Sequence, residues 1–307
     1  MSELSPITGR PKIVSDISAQ AFARIAQIAQ REAGIMLAEA KVSMVKSRLT
    51  RRLRVLEMAN FDDYLDYLEH SGDPKELECF ISALTTNVSH FFRENHHFEN
   101  LATNVVPLLR QKLAAGGKVR IWSAGCSNGQ EPYSIAITLL DKAPDLAQKD
   151  VRILATDIDP EVIAHAKRGE YIGSLTTGLT DDIISRHFTR SERDGEIVLT
   201  AKPEIKKLVS FNQLNLHADW PMKLKFDVIF CRNVVIYFDE PTQTKLFRRF
   251  ADILEPGGIL MLGHSERLNE NVSPLFESSG VTTYRTRPNI NKPSPAPTGA
   301  LESKGKI

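Results

Sequence analysis

The 307-residue chain has only three cysteines, Cys79, Cys126 and Cys231, far apart and never in a C-x-x-C pair. That argues against a sequence-local zinc site or a disulfide framework and fits a reducing compartment. Net charge is nearly absent too: at +1, no global field draws the protein to nucleic acid or membrane. Charge-driven recognition must therefore come from a local patch. No apolar run approaches the roughly 18 to 20 residues that span a bilayer. The N-terminus, M-S-E-L-S-P, lacks the basic and apolar regions of a signal peptide. A cytoplasmic protein without membrane insertion is expected. Neither the dinucleotide turn G-x-G-x-x-G nor the phosphate loop G-x-x-x-x-G-K-[ST] occurs at the candidate cofactor loop. A D/N/S-P-P-Y/F motif of an amino-directed DNA enzyme is missing, and C-R-N-V-V-I-Y-F stands after the strand instead. Cys126 and Cys231 follow Gly and Phe, so neither is the Pro-Cys nucleophile of a cytosine-C5 enzyme; a small buried thiol is their expected role.

What is present changes character near residue 115. Before it, helix patterns dominate. Residues 18–34 place Phe22, Ile25, Ile28 and Ala29 on one face, with Gly34 as a stop. A second helix covers 40–58. N-F-D-D-Y-L-D-Y-L-E-H starts at a cap, Asn60 or Asp62, and Pro74 opens the next helix. Residues 1–95 thus read as a small helical domain, and 96–115 as a linking helix. From Gly116 to Arg287 short apolar strands alternate with helices, which predicts a doubly wound, mostly parallel α/β sheet of Rossmann-like type. Residues 169–208 interrupt the rhythm with a helical turn and a turn at Asp194–Gly195 beside a short strand, read as an inserted β-subdomain. Residues 288–307, rich in Pro, Ser, Gly and Lys, read as a disordered tail.

Right-handed crossovers bring the loops after the strands to one edge, where ligands bind. The first such loop, S-A-G-C-S-N-G-Q-E-P-Y-S, keeps only Gly125 and Gly129 and puts Glu131 in the first helical turn. An acid there repels a phosphate and suits a cationic nucleoside such as S-adenosylmethionine. It equally suits a helix N-terminal acid favoured by the macrodipole. Asp157 ends the second strand, where an acid can accept hydrogen bonds from ribose hydroxyls; a turn or cap role is the alternative. Asn215 and Asn233 end later strands, and for Asn215 both adenine recognition and turn formation remain open.

L-T-T-N-V-S-H-F-F-R-E, A-G-C-S-N-G-Q-E-P-Y-S-I-A, D-I-D, F-D-V-I-F-C-R-N-V-V-I-Y-F and G-H-S-E resemble the chemotaxis receptor methyltransferases, the CheR family. The resemblance runs from about residue 15 to 287. It implies an S-adenosylmethionine-dependent enzyme that esterifies glutamate side chains on chemoreceptor cytoplasmic domains, acting as a monomer. Position by position it implies cofactor contacts at Asn87, Ser89, Arg93, Gly125, Glu131, Asp157, Asn215, Leu216, Arg232 and Asn233. It places Arg93 and Tyr237 near the transferred methyl. Ser89 stands where Thr is usual, and Asn128 and Gln130 stand in a loop that often reads S-T-G-E-E. The insert resembles a subdomain that in some members holds a receptor peptide by strand addition.

Helix 40–58 is basic. Arg48, Arg51 and Arg52 fall with Lys41 beside an apolar stripe, which by itself reads as a solvated face. A nucleic-acid patch would want stacking aromatics, and that face has none. The resemblance implies that these arginines face the acidic receptor. His90, His96 and His97 read as surface residues with no acid at ligand spacing, so no metal is expected. The rivals to the resemblance are a methyltransferase for another substrate and a non-catalytic module that binds cofactor or receptor.

Overall fold

The computed structural model describes residues 16–287, and the tail expected over 288–307 lies outside them. Four helices come first: α1 (Ala19–Ala33), α2 (Val42–Val55), α3 (Phe61–His70) and α4 (Pro74–Leu84). Their ends follow local chemistry. Ser18 accepts the Ala21 N–H, Asn60 the Asp63 N–H and Asp73 the Lys75 N–H, and Gly34 closes α1 in the left-handed conformation. Ile25, Ile28, Leu49, Leu53, Tyr64 and Phe80 form a core of their own between these helices.

The helix read as a linker is α5 (His96–Asn100), one π turn over Leu101–Val105, and α6 (Val106–Ala114). Phe98, Leu101, Val105 and Leu109 pack into the core of the sheet that follows. This segment is therefore an outer layer of the α/β domain more than a spacer. Pro107 stands in the first turn of α6, where its missing N–H costs little.

The elements after it are β1 (Val119–Ala124), α7 (Gln130–Lys142), β2 (Val151–Asp157), α8 (Pro160–Arg168), β3 (Glu170–Ile172), α9 (Asp181–His187), β4 (Phe188–Arg193), β5 (Glu196–Ala201), α10 (Pro203–Lys206), β6 (Val209–Gln213), β7 (Phe226–Cys231), α11 (Glu240–Ile253), β8 (Leu254–Leu262), β9 (Phe276–Gly280) and β10 (Thr283–Thr286). The seven-stranded sheet has the order β6-β2-β1-β7-β8-β10-β9. Its first five strands pair in parallel, and β10 and β9 close it antiparallel. Period-two alternation sends successive side chains to opposite faces. Ile121, Val228, Phe230, Ile259 and Met261 face the layer of α6 and α7, while Trp122, Ile229, Leu260 and Leu262 face α11. Both faces are covered, which is why these strands read as near-continuous apolar runs. Chain order reverses between β1 and β7, so a crevice opens at their carboxyl ends. The insert is a three-stranded antiparallel sheet, β3-β5-β4, whose β4–β5 turn has Asp194 and Gly195 at φ 52° and 78°.

The structure separates the three arginines of α2. Arg48 donates to the carbonyls of Leu84 and Thr85, at 3.1 and 2.6 Å, and so caps the C-terminus of α4. Arg52 pairs with buried Glu76, its Nε 3.1 Å from Oε1, and Tyr64 donates to the same carboxylate at 2.8 Å. Only Arg51 of the three is exposed. The expected shared basic face is thus spent largely inside the helical domain. Removing one member of a buried pair leaves an uncompensated charge. Arg52→Ala should lower stability by about 3 kcal/mol. Arg51→Ala should stay within about 0.5 kcal/mol. Urea unfolding of the full chain checks both.

Candidate active site

The crevice is a cavity of about 390 Å³ between the helical domain and the carboxyl ends of β1, β2 and β7. All eleven residues expected at the site line it. They reach it by different routes. Asn87, Ser89 and Arg93 lie on the extended segment after α4. Asn87 is pinned there, donating to Asp159 at 2.7 Å while its carbonyl accepts the Ser127 hydroxyl at 3.0 Å. Arg93 is half-buried, and its guanidinium donates to the Val88 carbonyl at 3.0 Å.

The opening loop turns tightly because Gly125 adopts φ 87° and donates to the Thr156 carbonyl at 2.8 Å. A Cβ there would stand 2.3 Å from the Val234 side chain, so only glycine fits. Asp157, at the end of β2, accepts the N–H groups of Ser127 and Asp159 at 2.8 and 3.1 Å. Among the described residues no cation pairs with it, and burial pushes its carboxyl up to about 6. Asn215 lies two residues past β6. Its amide donates to the Glu32 carbonyl at 2.7 Å and accepts the His217 N–H at 2.9 Å, so it stitches the two domains together. Leu216 lies beside it and is buried.

Arg232 organises the floor. Its guanidinium, 2% exposed, donates to Glu131 at 3.1 Å, lies 3.4 Å from Glu94 and donates to the carbonyl of Arg93. Burial raises the Glu131 carboxyl, and Arg232 and the Ser123 hydroxyl, 2.6 Å away, offset part of that. For Glu94, hydrogen bonding to His264 and the charge of Arg232 overcome burial and hold the carboxyl at about 2. Glu131 is therefore not a free acid awaiting a ligand; it is half of an ion network. Glu94 went unremarked as a site residue, although it directly follows Arg93 in F-F-R-E.

The histidines also depart from expectation. His97 is fully buried, and ligand atoms of Glu94, His96 and His97 lie within 4.8 Å of one another. The acid that was judged missing is thus present. Arg232 stands against the same carboxylate and supplies its positive charge. Burial and Arg232 press His97 down to about 3, so its ring is neutral.

Asn233 and Tyr237 form the lip. Asn233 adopts φ 59°, and the Tyr237 carbonyl accepts the Met36 N–H from the helical domain at 2.8 Å. Lys41 lies 5.3 Å above the Tyr237 ring. Strain concentrates here: Phe92, Glu94, Ser127 and Asn233 are all non-glycine residues in the left-handed region. Each costs on the order of 1 kcal/mol and persists only where its surroundings fix it.

Residues 87–285 match the CheR methyltransferase, SAM binding domain, and residues 20–85 match the CheR methyltransferase, all-alpha domain. The chain belongs to the CheR methyltransferase family. A probable chemotaxis protein methyltransferase of Rhizobium etli is 47% identical over 254 residues, covering 83% of this chain and 95% of the relative. The chemotaxis protein methyltransferase of Klebsiella aerogenes is 42% identical, covering 86% of this chain and 88% of its own. That of Escherichia coli is 41% identical, covering 86% and 89%. The CheR cofactor is S-adenosylmethionine, and the residues present fit it. Three carboxylates, Glu131, Asp157 and Glu94 behind Arg232, outnumber the guanidiniums of Arg93 and Arg232, the loop after β1 is not a phosphate-binding glycine loop, and Ile35, Leu84 and Leu214 give apolar walls. Among the described residues no helix is long and apolar enough to cross a membrane.

As the expected acceptor for ribose hydroxyls, Asp157 would lose its charge on protonation and turn one of its two acceptor oxygens into a donor. Cofactor affinity should therefore weaken as pH falls through about 6. The slope should approach tenfold per pH unit below that point. Titration calorimetry between pH 7.5 and 5 measures it. Asp157→Asn should flatten the profile.

Proposed function

We propose that this CheR protein transfers the methyl group of S-adenosylmethionine to glutamate side-chain carboxylates of chemoreceptor cytoplasmic domains, forming methyl esters and acting as a monomer. The observation that carries the reading is that Arg93 and Tyr237 line the same cavity as Glu131 and Asp157. A cation and a phenol thus share the space with the acids that suit the cofactor. When bound, S-adenosylmethionine supplies an electrophilic methyl on a sulfonium.

Glutamate has a pKa near 4.3, so at neutral pH it arrives as the nucleophile and needs no general base. The residues have two tasks, alignment and exclusion of water. Arg93 draws and orients the incoming carboxylate. Its Nη1 donates to the Val88 carbonyl, which holds the guanidinium in place while its other N–H donors stay available to the carboxylate. The Tyr237 hydroxyl, lining the same cavity, positions the carboxylate or the methyl. Val88 and Ile236, both exposed, line the same cavity and give a partner helix an apolar rim. Arg51 on α2 remains available to an acidic receptor surface. The outer edge of β4 is open to an added strand, as the resemblance implies.

Radiolabelled S-adenosylmethionine is incubated with the protein and a receptor cytoplasmic domain, followed by mild base. Release of volatile labelled methanol is expected, because esters hydrolyse and N-methyl groups do not. Label that stays on the receptor would redirect the reading to another methyltransferase, and cofactor binding without label on any of a panel of receptors would favour a non-catalytic module. Arg93→Ala should lower turnover about 100-fold. It should change stability by less than about 1 kcal/mol. Steady-state kinetics and thermal unfolding report the two effects separately.

A further inference from the structure

Of G-H-S-E, Gly263 to Glu266, only His264 has entered the site so far, through its hydrogen bond to Glu94. The acid of this motif follows β8 and is 2% exposed. One oxygen of Glu266 accepts the N–H groups of Gly263 and Asn233, at 2.6 and 2.9 Å. The other accepts those of Val234 and Val235, at 2.8 and 2.9 Å, with the Ile236 N–H at 3.4 Å. No Lys, Arg or His pairs with it among the described residues. A buried carboxylate without a cation is tolerated only when its lone pairs are filled by such donors.

Four of the five donors are consecutive, Asn233 to Ile236. They are the N–H groups that the turn after β7 and its short 3-10 helix, Val235–Tyr237, leave without backbone acceptors. Glu266 supplies those acceptors and at the same time ties the end of β7 to the end of β8. Gly263 makes the approach feasible, because a Cβ there would lie 2.8 Å from the Asn233 nitrogen and 2.9 Å from Glu266. The turn so held carries Asn233 in its left-handed conformation and presents Tyr237 to the cavity.

We infer that Glu266 is a positioning residue for methyl transfer, acting through the Asn233–Tyr237 turn without touching cofactor or substrate. The inference rests on the proposed reaction. Glu266→Gln keeps the size but turns an NH₂ group toward N–H donors, so the turn loses its anchor. A double-mutant cycle with Tyr237→Phe separates positioning from a merely structural role. Glu266→Gln should lower kcat about 50-fold in the wild-type background and less than about fivefold when Tyr237 is already Phe. Equal factors in the two backgrounds would overturn the inference.

Amide hydrogen exchange on the wild-type protein gives a second arm that needs no variant. The amides of Val234, Val235 and Ile236 should be protected as strongly as those of β7, with or without cofactor. Fast exchange there would overturn the inference even if Glu266→Gln failed to fold. The wild-type ester assay is run first. If no ester forms, the proposed reaction falls, and the exchange measurement still decides whether Glu266 pins the turn.

Discussion

The buried guanidinium of Arg232 is the interaction on which the site depends. Taking it out of water costs several kcal/mol, and a single carboxylate seldom repays that. Two do so here. Glu131 comes from the first turn of α7 and Glu94 from the segment that joins the helical domain to the sheet. Three pieces of chain remote in sequence are thereby locked around one charge. The charge count then sets the ligand. Two carboxylates and one guanidinium leave one negative charge at the floor, and His97 is held neutral beside them. Ionised Asp157 adds another, and the Arg93 guanidinium in the same cavity offsets one of the two. A cationic nucleoside is favoured by the surplus of the network as a whole, not by Glu131 acting alone.

Much of this was legible in the sequence. The αβ alternation, the stop at Gly34, the cap at Asn60 and Pro74 in a first helical turn are local signals, and each maps onto the element expected. What was not legible depends on partners distant in sequence. The spacing of Arg48, Arg51 and Arg52 shows that they share one side of α2, but not that Glu76, 24 residues on, takes one of them inward. Asn215 is a free amide on paper and a stitch to Glu32 in the fold. Strand β9, F-E-S-S-G, is not legible in the sequence because a short edge strand with two serines and a final glycine carries little apolar period. The histidines look superficial in sequence because one turn of polar residues says nothing of Thr282, whose hydroxyl hydrogen-bonds the buried His97 ring at 2.9 Å from the far end of the sheet.

The inserted β-subdomain is not an appendage loosely hung on the sheet. The Phe91 N–H donates to the Thr177 carbonyl at 3.0 Å, and a Cβ on Gly178 would stand 2.1 Å from the Phe91 carbonyl oxygen. Phe91 also packs edge-on against Tyr171 and Phe188 of the subdomain. Two residues later comes Arg93. The subdomain is therefore one wall of the mould that holds the strained Phe92–Glu94 backbone, and the Ser134 hydroxyl, accepting the Phe92 N–H at 3.0 Å, is another.

The opposite wall is the helical domain. Arg48 fastens α2 to Thr85 and Thr86, immediately before Asn87, and Asn87 fastens to the cap of α8 through Asp159. The segment from Leu84 to Glu94 is thus gripped along its length by all three parts of the molecule. Such a segment has few alternative conformations, and the converging contacts hold its left-handed residues in place despite their cost. That explains why a site built on loop backbone can still be precise. Rigidity comes from contacts that converge from separate elements, and the residues that make those contacts need not touch the reacting groups at all.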